Sequence, residues 1–100
     1  MPRILFTLLK SPFEKNEIHN MEIIAGSNEK CVILFEDAVY YATVKEIREN
    51  LLSKNYIIYA IKDELKARGY DAFSEEGVEK IDYEMAIELI MESYDKVVSM

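Results

Sequence analysis

The sequence has few of the residues that keep a chain open. Its 100 residues include three glycines and two prolines, while half of the residues are hydrophobic and 31% are charged. Collagen-like, linker-rich and disordered chains need a different composition, so these classes are excluded. A chain of this length buries roughly two-thirds of its unfolded surface without a disulfide or a metal. We therefore expect residues 1–100 to form a single domain.

Cysteine and histidine occur once each, as Cys31 and His19. One cysteine forms no intramolecular disulfide, and one cysteine with one histidine falls short of the usual ligand set for zinc. The three glycines lie far apart, so the sequence contains no glycine-rich phosphate loop. We expect no metal and no cofactor, and a reducing compartment such as the cytoplasm.

Long apolar runs are also missing. The first run, Ile4–Leu9, is stopped by Lys10 and is too short for the apolar core of a signal peptide. No run approaches the roughly 20 residues that a membrane-spanning helix needs. These absences predict a soluble, cytoplasmic protein with no membrane partner.

Positive charge is scarce. Twelve Lys and Arg residues stand against nineteen Asp and Glu residues, which gives a net charge of −7. Residues 61–100 hold five basic and eleven acidic side chains, so most of the deficit lies there. Binding to nucleic acid by counterion release requires a basic stripe, and we therefore expect no direct nucleic-acid partner. An acidic surface of this kind suits a basic protein partner, or is simply a solvated face.

Short apolar runs alternate with amphipathic segments along the chain. This alternation predicts a single three-layer α/β/α domain with a mainly parallel sheet of four to five strands. The continuous apolar run Cys31–Phe35 is typical of a strand that is covered on both faces. The other predicted strands are Ile4–Leu9, Tyr56–Ile61, Val78–Ile81 and Lys96–Ser99.

Helices are predicted between these strands. Ser11-Pro12-Phe13-Glu14 has the pattern of a capping box with proline at the first helical position, and Gly26 suits the end of that helix. Further helices are predicted over Lys45–Ser53, over Lys62–Arg68, and after Asp82. The last helix has an apolar stripe on one face and a row of glutamates on another. The stripe comprises Tyr83, Ile87, Ile90 and Tyr94, and the row Glu84, Glu88 and Glu92.

Polar residues follow the predicted strands at their carboxyl ends, the edge where open parallel sheets gather ligands. The candidate ligand or partner edge comprises Lys10, Ser11, Glu36, Asp37, Lys62 and Asp63. A second interpretation is that Ser11, Asp37, Asp63 and Asp82 cap the helices that follow.

Cys31 has two interpretations. A thiolate attacks and carries sulfur, which makes Cys31 a candidate nucleophile. However, it opens the second predicted strand at the amino edge, opposite the usual site, and its apolar context predicts burial. A buried cysteine behaves as a small hydrophobic residue, so a structural role is favoured. His19 is favoured as a surface residue over a catalytic base, and Tyr40, Tyr41 and Tyr59 as core or interface residues.

Four segments of the sequence are informative together. They are Leu9-Lys10-Ser11-Pro12-Phe13-Glu14, Leu34-Phe35-Glu36-Asp37-Ala38-Val39-Tyr40, Tyr59-Ala60-Ile61-Lys62-Asp63-Glu64-Leu65-Lys66-Ala67-Arg68-Gly69-Tyr70 and Ile81-Asp82-Tyr83. In order and spacing these segments resemble the DsrH/TusB family of small sulfur-relay subunits. The resemblance implies a DsrE/DsrF-like fold and a place in a hexamer of three kinds of chain. Such complexes relay persulfide sulfur toward 2-thiolation of the tRNA wobble uridine or within dissimilatory sulfur oxidation.

The resemblance also implies that the principal sulfur-bearing cysteine belongs to a sister subunit. Some members carry a cysteine in the first helix, which by position falls at or beside Met21 here, and many end in a Gln-x-Trp-like tail that this sequence lacks. The implied partners are DsrE/DsrF- or TusC/TusD-like subunits, or further copies of the chain. Three functions stay open: a non-catalytic subunit of a sulfur-relay assembly, a sulfurtransferase that uses Cys31, and a stand-alone homo-oligomeric interaction protein.

Overall fold

Strands and helices alternate along the chain. The computed structural model describes the backbone of residues 2–93 and 95–100, and their side chains except those of residues 92 and 93. The strands of this part are β1 (Arg3–Leu8), β2 (Glu29–Leu34), β3 (Ile57–Ile61), β4 (Val78–Ile81) and β5 (Lys96–Ser99). Its α-helices are α1 (Ile18–Ala25), α2 (Tyr40–Thr43), α3 (Lys45–Ser53), α4 (Lys62–Ala67) and α5 (Tyr83–Glu88). A 3-10 helix, Glu36–Val39, precedes α2, and π-helical residues Leu89–Ser93 continue α5.

The strands pair in parallel throughout the described sheet, in the order β4-β3-β2-β1-β5. The chain moves outward by one strand at each step from β1 to β4, and then returns past β1 to place β5 at the other edge. Because crossovers between parallel strands are right-handed, this reversal puts α5 on the opposite face from the earlier helices. The gap between the carboxyl ends of β1 and β5 is thus the topological switch point.

Each face of the sheet buries its own core. On one face, Phe6 of β1 packs in a cluster with Met21 of α1 and Leu51 of α3. On the other face, Ile33 of β2 packs in a cluster with Ala86 of α5. The predicted three-layer α/β/α domain is therefore confirmed, and the fifth strand is present.

The start of α1 differs from the prediction. Ser11-Pro12-Phe13-Glu14 forms a turn instead of a first helical turn, and the Ser11 hydroxyl accepts a hydrogen bond from the Phe13 N–H at 3.0 Å. The helix begins at Ile18, whose N–H donates to Asn16 Oδ1 at 3.0 Å. The Tyr41 hydroxyl donates to the Lys15 carbonyl at 3.0 Å and so fixes the loop before the helix. A contact from distant sequence therefore overrides the local capping signal.

The apolar stripe of the last helix is divided between the sheet and the surface. Ala86 is buried, and Leu89 and Ile90 are partly buried against the sheet, whereas Tyr83 and Ile87 are exposed. Tyr94, the last member of the predicted stripe, lies outside the described residues, as does the side chain of Glu92. Ala86, the smallest apolar residue of α5, packs on the sheet, and the larger side chains of Tyr83 and Ile87 are exposed to solvent.

Of the predicted helix caps, Asp82 is confirmed, since its Oδ1 accepts a hydrogen bond from the Met85 N–H at 2.8 Å. The prediction was wrong for Asp37 and Asp63. The residues at the N-cap positions of the 3-10 helix and of α4 are Phe35 and Ile61, and neither makes a side-chain cap. Apolar strand residues run directly into these helices, which leaves Asp37 available for a different contact.

Candidate functional site at the carboxyl edge of the sheet

The chain turns sharply where β2 ends. Glu36 has a φ angle of +47°, a left-handed conformation that non-glycine residues seldom adopt. Its N–H donates to Glu64 Oε2 at 3.1 Å, which ties this turn to the first turn of α4. Strained backbone of this kind persists only where surrounding contacts hold it. Glu64 provides one such contact.

Glu64 is the centre of a hydrogen-bond network. Its carboxylate accepts hydrogen bonds from the Glu36 N–H, from the Tyr83 hydroxyl and, at 3.1 Å, from Arg68 Nη1. The hydrogen bond from Tyr83, together with those from Arg68 and Glu36, outweighs partial burial and lowers the pKa of Glu64. The same hydrogen bond raises the pKa of Tyr83 to about 12. Glu64 is thus held ionised and joins α4, α5 and the end of β2.

Arg68 completes the network. Its Nε and Nη2 atoms donate to Asp37 Oδ1 at 2.9 and 2.7 Å, and this pairing raises the pKa of the guanidinium. The same guanidinium also contacts Glu64. The charges of Asp37, Glu64 and Arg68 therefore largely neutralise one another. This arrangement indicates a structural role, in which ion pairs and hydrogen bonds hold three elements together. A catalytic acid or base needs a group that is free to exchange protons, and these groups are already paired.

The predicted edge residues divide between two places. Glu36 and Asp37 belong to this network. Lys62 and Asp63 lie beside it as exposed residues at the start of α4. Lys10 lines a separate small cleft near the end of β1, and half-buried Ser11 holds the turn that follows.

The small cleft lies at the switch point between β1 and β5. Its volume is about 110 Å³, and Leu8, Lys10, Lys15, Glu17 and Met100 are among the residues that line it. Glu17 is buried, and its carboxylate accepts a hydrogen bond from Asn20 Nδ2 at 3.2 Å. A cleft of this size admits a small polar group and falls well below the roughly 300 Å³ at which pockets for drug-sized ligands begin.

Glu64, Arg68 and Tyr83 are the network residues that sequence reasoning missed. The four-residue spacing of Glu64 and Arg68 within a predicted helix signals an ion pair. Tyr83 had no such signal, because its contact with Glu64 depends on how α5 crosses the sheet.

Cys31 is fully buried, with 0% of its surface exposed. β2 begins at Glu29, so Cys31 is its third residue and does not open the strand as predicted. It belongs to the core cluster under α5, where Leu5, Ile33 and Ala86 also lie. It remains in the amino half of the sheet, away from the carboxyl edge.

A cavity of about 520 Å³ lies at the amino edge, and Cys31 contributes to its lining together with Lys30, Lys54 and Ile57. α1 and α3 both end at this edge, and their carboxyl-terminal dipoles favour nearby cations. Lys30 also pairs with Glu22 and lies 4.8 Å from the centre of the Tyr56 ring. The lysines here therefore have a structural explanation.

The described part of the chain has neither a cluster of metal ligands nor a helix that could cross a membrane. No three His, Cys, Asp or Glu side chains there are grouped so that they would hold a metal ion. No helix in those residues has both the length and the apolar character needed to cross a bilayer.

Comparison with known proteins gives the family. Over its full length the chain superimposes on the full length of the YchN protein from E. coli, with a TM-score of 0.77 and 18% sequence identity. At this identity the likeness establishes a shared fold. A search of curated proteins finds no match. Residues 10–97 match the family described as DsrH like protein, so the chain belongs to the DsrH family.

Proposed function

We propose that the chain is a non-catalytic subunit of a sulfur-relay assembly, in which the persulfide is carried by a cysteine of a sister subunit. Membership of the DsrH family supports the sulfur-relay role. The observation that supports a non-catalytic role is the complete burial of Cys31, the only cysteine in the sequence. A sulfur carrier needs an accessible thiolate, and burial in apolar surroundings disfavours the thiolate.

The finer role is also part of this proposal. The assembly would act in the cytoplasm and contain DsrE/DsrF- or TusC/TusD-like subunits. It would supply sulfur for 2-thiolation of the tRNA wobble uridine or take part in sulfur oxidation. The network around Glu64 then serves to keep the carboxyl edge of this subunit rigid. Any RNA chemistry belongs to a separate, basic enzyme.

The test combines thiol reactivity with assembly. We expect the native chain to react slowly with a chromogenic disulfide reagent, and the denatured chain to release one equivalent. When the chain is purified from the cells that naturally produce it, sister subunits that contain a reactive cysteine are expected to co-purify. A fast-reacting Cys31, with loss of persulfide transfer in a folded Cys31→Ala variant, would instead establish the chain as a sulfurtransferase. Recovery of this chain alone would favour the homo-oligomeric interaction protein.

A further inference from the structure

The sheet is covered unequally on its two faces. α1, α3 and α4 pack on one face, whereas α5 with its π-helical continuation is the cover on the other face among the described residues. A helix is about 10–12 Å wide, and five strands at about 4.8 Å spacing extend about 19 Å from first to last. One helix therefore leaves part of the second face open. On that face, Ile57 of β3 is 53% exposed, and Val97 of β5 is partly exposed as well.

The outward side of α5 is apolar too. Tyr83, Ile87 and Met91 recur every four residues, and Ile87 and Met91 are 60% and 77% exposed. Met85, on the other flank of α5, is also exposed. We call Ile57, Tyr83, Met85, Ile87, Met91 and Val97 the outer face. Several exposed apolar residues on one face of a small domain indicate a place where another molecule binds.

The outer face is acidic around the apolar residues of α5. Asp82, Glu84 and Glu88 are exposed, and the sequence has no Lys or Arg from residue 82 to residue 91. The amino end of the face is different, because Arg3, Lys30 and Lys54 line the cavity to which Ile57 also contributes. Negative charge therefore outweighs positive charge around α5.

This charge decides between a second copy and a different partner. A twofold contact between two outer faces would place the glutamates of one α5 beside those of the other, and such like-charge contacts are unfavourable. We propose that the outer face binds a partner protein whose contact surface combines apolar side chains with lysine or arginine. The proposal concerns a surface of the isolated chain and does not depend on the sulfur-relay role.

A pair of synthetic helical peptides provides the probe. One has leucine on one face and lysine on the other, and the second has glutamate in place of lysine. With the full chain at low salt, we expect the lysine peptide to bind saturably and the glutamate peptide not to bind. Ile87→Ser is expected to weaken this binding about tenfold, the loss typical of a central interface residue. Met91→Ser, at a still more exposed position, is a second variant that we expect to fold normally and to weaken the binding as well.

The matched control is Ile23→Ser. Ile23 is 67% exposed, similar to Ile87, but lies on α1 on the opposite side of the sheet. We expect this variant to bind the lysine peptide within about twofold of the wild type. Glu84→Lys with Glu88→Lys is expected to abolish lysine-peptide binding.

Three results would overturn the proposal. The first is that Ile87→Ser and Ile23→Ser weaken lysine-peptide binding equally, because the peptide would then not bind specifically at the outer face. The second is equal binding of the glutamate peptide. The third is an oligomer of the isolated chain that Ile87→Ser dissociates, because the outer face would then be occupied by a second copy.

Discussion

At the scale of single residues, Cys31 is a packing residue. Replacing it with alanine removes one sulfur atom from a filled core and is expected to lower the free energy of unfolding by about 1 kcal/mol. Cys31→Ser is expected to cost more, because it places a hydroxyl group among apolar side chains. Urea denaturation of the three proteins measures both differences. Persulfide transfer by the assembled complex is expected to be unchanged in Cys31→Ala, and its loss in a folded, assembled variant would contradict the structural role.

Glu64 links stability to pH. Its pKa is lowered in the folded chain, so its contribution is present above the ordinary glutamate pKa and is lost as the pH falls through the lowered value. We expect Glu64→Gln to reduce the free energy of unfolding by about 1 kcal/mol at pH 7. The difference between wild type and variant should be smaller at about pH 3, because the contribution is progressively lost once the pH is below the ordinary glutamate pKa.

The control for this prediction is Glu49→Gln. Glu49 is exposed, and its carboxylate lies 4.0 Å from the Lys45 ammonium group. Exposed pairs of this kind contribute little to stability, so the variant is expected to stay within about 0.5 kcal/mol of the wild type at both pH values. A Glu64→Gln difference of the same size at pH 7 and pH 3 would show that shape, and not charge, explains its effect.

At the scale of elements, the N-cap residue Asp82 stabilises α5, the helix that covers the second face of the sheet. Asp82→Ala removes the acceptor for the Met85 N–H and is expected to lower the free energy of unfolding by about 1 kcal/mol. Amide hydrogen exchange in α5 should rise more than in α3. Asp82→Asn keeps a side-chain oxygen at the same place and is expected to restore most of the stability. Equal exchange in α5 of all three proteins would show that packing alone holds this helix.

Elements were predictable where local pattern and tertiary packing agree. Val78–Ile81 and Lys45–Ser53 have the predicted bounds, because apolar spacing and helix-forming residues there match the burial they receive. The prediction was wrong for residues 12–14, which form a turn instead of the first helical turn, and Tyr41 comes from α2 to bind the backbone that follows. Sequence spacing contains no information about that contact.

The orientation of α5 shows a second limit. The helix has two apolar sides, one through Tyr83 and Ile87 and the other through Ala86 and Ile90. Sequence periodicity identifies both apolar sides of the helix but does not determine which one packs on the sheet. The edge residues behave similarly: Asp37 was predicted to cap a helix, yet it binds Arg68, which lies 31 residues later. Residue type and the alternation of strands and helices predicted which polar residues lie at the carboxyl edge, whereas the partners of these residues depend on how the elements cross.

At the scale of the whole molecule, the chain is expected to assemble. Its apolar surface includes Ile23 and Ile24 on α1 in addition to the outer face, and α1 offers the less acidic surface of the two. Light scattering of the isolated chain at micromolar concentration is expected to give a mass above 11.7 kDa. Ile87→Ser should leave that mass unchanged. A single 11.7 kDa species for the wild type would contradict this prediction.

The net charge of the molecule also predicts how it behaves toward RNA. With a net charge of −7 and with Glu84 and Glu88 exposed on α5, a phosphate backbone meets repulsion and releases few counterions. We therefore expect labelled tRNA to show no saturable binding to the isolated chain at low salt, where electrostatic attraction is strongest. Glu84→Lys with Glu88→Lys serves as the positive control, because it should introduce weak binding that salt removes. Saturable micromolar binding by the wild type that weakens as salt rises would show that tRNA contacts this subunit directly.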